Sequence, residues 1–153
     1  MEVLIEILER KNLCLRNFHR LCEAFLEEIS KGKADSLEEF QRKRQSLVNV
    51  LEDLEQESNK ILGGYNSNPE LFESMLSSQA REQISHLIKT KDSIIKAIVD
   101  LDLQILTHID QLKNETIQKL NSLQSSRRTL TAYRSPLEKV EQAENSGIID
   151  KEA

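Results

Sequence analysis

Residues 79–134 read QAREQISHLIKTKDSIIKAIVDLDLQILTHIDQLKNETIQKLNSLQSSRRTLTAYR. The stretch holds neither Pro nor Gly, and apolar residues recur every three or four positions from Ile84 to Tyr133. That spacing predicts one very long amphipathic helix over 79–134. Between Ile94 and Ile109 the apolar residues nearly encircle the helix, which predicts packing on more than one side. Beyond Ile109 they narrow to one stripe.

The rest of the chain predicts an all-α fold in which a helical hairpin packs on this long helix. Residues 3–31 carry Leu4, Leu8, Leu15, Phe18, Cys22, Phe25, Leu26 and Ile29 at helical intervals, and Gly32 supplies a C-terminal stop. Residues 36–62 form the second helix. Ser36-Leu37-Glu38-Glu39 fits a capping box, Leu37, Phe40, Leu47, Val50 or Leu51, Leu54 and Ile61 face the core, and Gly63-Gly64 closes the helix. The short 31–35 connection makes the two helices antiparallel. Asn68-Pro69-Glu70 reads as the cap and first turn of a short helix from Pro69 to about Leu76, with Ser77-Ser78 as a candidate break. Ser135-Pro136 ends the long helix. The domain is therefore 1–134, followed by a flexible acidic tail, 135–153.

Lengths then set the functional question. At 1.5 Å per residue the first helix is roughly 43 Å long, the second roughly 40 Å and the third roughly 84 Å. With the chain running up, down and up, residues from about 108 onward outrun the hairpin. Burying a Leu or Ile is worth about 1.5–3 kcal/mol, so an uncovered stripe there marks an interface. The other reading is a broken helix or an offset bundle that covers it. The stripe and its flanks, Ile109, Leu112, Thr116, Ile117, Leu120, Leu123, Arg127, Leu130 and Tyr133, form the candidate partner-binding surface. Arg127 lies on the stripe, where a long stem covers apolar surface while its head either stays in water or pairs with a carboxylate on a partner.

Composition narrows the function classes. The net charge is −5, with 10 basic and 13 acidic residues over 1–62, 9 and 8 over 63–134, and 2 and 5 over 135–153. No such segment has the basic footprint of a nucleic-acid binder. The most apolar window, 94–109, is interrupted by Lys96, Asp100, Asp102 and Gln104, so no membrane insertion is expected. MEVLIEILERK at the start does not read as a secretory signal. Cys14 and Cys22 would lie about 12 Å apart on one helix, too far for a disulfide, which implies reduced thiols and a cytoplasmic protein.

No catalytic or cofactor site is expected: the chain has no Gly-rich phosphate loop, nucleophile elbow or zinc-type ligand spacing. His19 and Cys22 are three apart but lack a second ligand pair, so no metal site is predicted. Asp100 and Asp102 read as solvated positions, and Arg42-Lys43-Arg44 as paired with Glu38 and Glu39 along the same helix.

Phe25-x-x-x-Ile29-x-x-Gly32, then Phe40-x-x-x-Arg44-Gln45-x-Leu47, then a long helix closing on Ser126-Arg127-Arg128-Thr129-Leu130-Thr131-Ala132-Tyr133 resembles the FlgN-type flagellar export chaperones. Their last helix commonly ends in a Gly-Arg-x-x-x-x-x-Tyr-Gly-like signature; here Ser126 stands for the first Gly and Arg134 for the last. The resemblance implies a small cytoplasmic helical chaperone for type III protein export. Its client would be an amphipathic helix, the C-terminal segment of hook–filament junction subunits, seated on Ile109 to Tyr133. A coiled-coil scaffold whose stripe self-associates into a stable dimer is the alternative, whereas the chaperone reading is compatible with a monomer or a weak homodimer.

Overall fold

A computed structural model describes the backbone of residues 1–152 and the side chains of residues 1–134. Among them are four helices and no strand: α1 (Glu2–Ser30), α2 (Leu37–Ser67), α3 (Pro69–Ser74) and α4 (Ser78–Glu152). The all-α expectation holds, with the long C-terminal helix packed against the first two. Two compact units divide the chain, Met1–Ile109 and Asp110–Ala153, a border inside α4 rather than at its end.

Within the first unit, α1 and α2 run antiparallel and α4 runs parallel to α1. Phe25 stacks on Phe40 with ring centroids 4.1 Å apart and planes 10° apart, and Lys11 bonds Glu55 near the other end of the hairpin. Asn12 donates to the Leu87 carbonyl at 3.0 Å, and Arg44 reaches Asp102. The core is mostly α1: Leu4, Ile7, Cys14, Leu15, Phe18, Cys22, Phe25 and Ile29 are buried, against Phe40 and Leu54 of α2 and Ile98 and Ile105 of α4.

Gly32 ends α1 as expected. At φ +76 it occupies the left-handed region, where a side chain would strain the backbone. Its N–H bonds the Ile29 carbonyl and that of Lys33 bonds Glu28, a Schellman closure.

Three boundaries differ from expectation. Ser36 precedes α2 without forming a capping box: its side chain makes no cap bond, and its buried hydroxyl has no partner. The preceding turn, with the Leu37 N–H on the Ala34 carbonyl, leaves Ser36 at φ −88 and ψ 5, outside the extended conformation that aims a cap hydroxyl at the helix. Glu39 pairs instead with Lys43 at 2.8 Å.

Gly63-Gly64 does not end α2. Neither glycine has positive φ, so both stay in the helix at a cost of about 0.5–1 kcal/mol each. The true stop is Asn68, extended at φ −152 and ψ 79 because the following proline disfavours helical geometry. Its side chain accepts from the Leu71 N–H at 3.3 Å and caps α3. A break does separate α3 from α4, but it covers 75–77 and Ser78 already belongs to α4; the Ser77 hydroxyl accepts the Ala80 N–H at 3.1 Å to start that helix.

Nor does Ser135-Pro136 end α4, which runs to Glu152. Pro136 removes one backbone donor, but the good helix formers of Leu137–Ala143 carry the backbone onward. The mobility expected of 135–153 lies outside the described residues, apart from this helical backbone.

Candidate partner-binding surface

The middle of α4 is packed on one side, not on several. Ile98 and Ile105 are buried and Ile94 and Leu101 half-buried, whereas Ile95, Val99, Leu103 and Leu106 are exposed. Among the described residues α1 and α2 cover one side, and the opposite face of this nearly encircling apolar run stays in solvent. These four residues are a second apolar surface that the sequence reading assigned to the core. The spread of apolar positions was visible in the sequence; the number of neighbours to cover them was not.

The inward face also carries charge. Asp102 is not solvated as expected. It accepts two bonds from Arg44, at 3.2 Å from Nη1 and 2.9 Å from Nη2. Arg44 lies over the Phe18 ring, 5.4 Å from its centroid. Thus Arg44 pairs with α4 across the bundle, and of the basic triplet it is Lys43 that pairs with Glu39. Asp102 lies four residues after Ile98 and three before Ile105, a spacing that puts it on the buried face.

Cys22, fully buried, has its Sγ 3.9 Å from Asp102 Oδ1. Burial, and then the Asp102 charge, push its thiol up to about 11. Burial also raises Cys14. Both cysteines are free.

A raised pKa in the fold favours the protonated thiol. Its stabilisation is complete below the unfolded cysteine value of about 8.5 and is lost as pH rises through about 11. The expected result is an alkaline fall in stability that is shallower in Cys22→Ala, read from denaturant midpoints between those pH values. Superimposable pH profiles would refute the assignment.

His19 and Cys22 do not converge. His19 Nδ1 faces Glu23 at 3.5 Å while Cys22 turns inward. Among the described residues no group of three metal-ligating side chains assembles. An open cavity of about 500 Å³ is lined by Leu4, Leu62, Tyr65, Phe72, Ile84 and Ile88. On its rim, Arg81 donates to the Glu73 carbonyl at 2.6 Å and the Tyr65 hydroxyl to the Glu73 carboxylate at 3.4 Å.

The expected interface residues fall into two groups. Ile109 and Leu112 are half-buried. From Lys113 to Arg134 every residue is exposed, including Ile117 at 44%, Leu120 at 54%, Leu123 at 62%, Leu130 at 66% and Tyr133 at 72%. Thr116 and Thr131 bond the carbonyls of Leu112 and Arg127, each at 2.8 Å. Their hydroxyls are therefore satisfied within the helix, leaving methyl groups as their apolar contribution. Arg127 is exposed between Leu123 and Leu130. This surface can bury a row of aliphatic side chains and offer one guanidinium within it.

No described helix is long and apolar enough to cross a membrane. Comparison with protein-family models, curated proteins and solved structures finds no match.

Proposed function

We propose that the chain is a helix-binding chaperone of the FlgN type, which seats the amphipathic C-terminal helix of a flagellar hook–filament junction subunit on Leu112–Tyr133 and keeps it soluble in the cytoplasm for type III export. The observation that carries the helix-binding reading is the run of exposed residues from Lys113 to Arg134, which still keeps Leu120, Leu123 and Leu130 in one row. An amphipathic helix laid along such a row buries its own apolar face. The flagellar part of the reading rests on the resemblance at 126–133. No step requires a nucleotide or a metal.

The test is Leu120→Glu combined with Leu123→Glu. Each leucine contributes about 1.5–3 kcal/mol when buried by a partner, so client affinity is expected to fall by about a hundredfold or more. Helicity and melting temperature should hardly change, because both residues are exposed in the free chain. Collapse of the fold would mean that the row is core and would sink the proposal.

The second surface, Ile95, Val99, Leu103 and Leu106, favours a rival reading, a self-associating coiled-coil scaffold. Sedimentation at micromolar concentration separates the two. A tight dimer supports the scaffold; a monomer, or a weak dimer displaced by a client peptide, supports the chaperone.

A further inference from the structure

Resting on the helix-binding reading, we infer that the occupant is an acidic amphipathic helix with a carboxylate set into its apolar seam opposite Arg127. Thr116, Leu120, Leu123, Arg127 and Leu130 follow one another at alternating steps of four and three, the seam of a coiled-coil contact. Arg127 is the charged member of that seam. Its neighbours one turn away, Leu123, Gln124, Leu130 and Thr131, hold no carboxylate, and the nearest acids along the chain are Glu115 and Glu138. A guanidinium covered by a partner's apolar surface needs a counter-charge, and a carboxylate can take it through two parallel bonds.

The flanks carry the same sign. The near-neutral balance of 63–134 hides an asymmetry, because Gln111–Arg134 holds five basic residues, Lys113, Lys119, Arg127, Arg128 and Arg134, against one acid, Glu115. A helix docked along this row is therefore steered and selected by negative charge. An anionic bilayer offers negative charge too, but it would meet the seam with acyl chains at the position where Arg127 sits. A partner helix can instead place an acid there.

The probes are two 21-residue synthetic amphipathic helices with identical Leu/Ile seams. One has Glu at the central seam position and on its flanks, the other Lys. Binding to the full chain is followed by fluorescence anisotropy. The Glu peptide is expected to bind about tenfold tighter at low salt, with the advantage shrinking as the screening length falls toward about 10 Å near 0.1 M. Arg127→Glu should shift the preference toward the Lys peptide, with circular dichroism unchanged.

Equal affinity for both peptides would overturn the charge rule while leaving the helix-binding reading intact. Failure of both to bind would count against that reading as well. Tighter binding to phosphatidylglycerol vesicles than to the Glu peptide would reassign the surface to lipid and overturn the inference.

Discussion

Phe25→Ala is expected to destabilise the first unit by about 3–5 kcal/mol. The ring is 3% exposed and lies stacked on Phe40, itself 5% exposed. Truncation removes the transfer energy of the aromatic side chain and leaves a void bounded by a rigid hairpin, with little freedom to collapse. Against a typical total of about 5–15 kcal/mol this is a large fraction. The denaturant midpoint should fall with its slope unchanged. A loss below about 1 kcal/mol would show that the stack is not part of the stabilising core.

The second large effect is an asymmetry. Arg44→Met alone strands the Asp102 carboxylate beside the Cys22 sulfur, at the meeting point of α1, α2 and α4. The expected cost is about 2–3 kcal/mol, that of losing hydrogen bonds between charged groups while one charge stays partly buried. Arg44→Met combined with Asp102→Leu removes both charges and should cost less than the single change. Denaturant midpoints for the four members of this cycle give the coupling. Additive costs would mean that the pair is decorative. The side chains are 41% and 25% exposed, which holds the expectation below the value for a fully buried pair.

The Arg44–Asp102 pair also shows where the sequence stops being legible. Periodicity located the helices because burial repeats with the turn of the helix, and Gly32 was readable because a helix end at positive φ calls for glycine. Gly63-Gly64 misled for the complementary reason: glycine permits a stop but does not impose one, and Asn68-Pro69 supplies the steric stop four residues later. Ser36 and Glu39 match a capping box in type, yet the backbone angle that aims the hydroxyl depends on the preceding turn. Asp102 shares a helical face with Ile98 and Ile105, but its burial depends on an arginine 58 residues away. As for the surface, the exposure of Ile117, Leu120, Leu123, Leu130 and Tyr133 follows from comparing helix lengths. The bareness of Ile95, Val99, Leu103 and Leu106 depends on how many helices surround them, and no local pattern encodes that number.

The continuity of α4 across the border between the two units has a thermodynamic consequence. Starting a helix in water is unfavourable by a factor on the order of 10⁻³, whereas extending one is close to neutral per residue. Side chains before Ile109 anchor α4 to α1 and α2, so that turn serves as the nucleus from which residues 110–134 propagate. A partner arriving at Leu120 or Arg127 thus meets backbone already biased toward helix. Less binding energy would then be spent on ordering this chain.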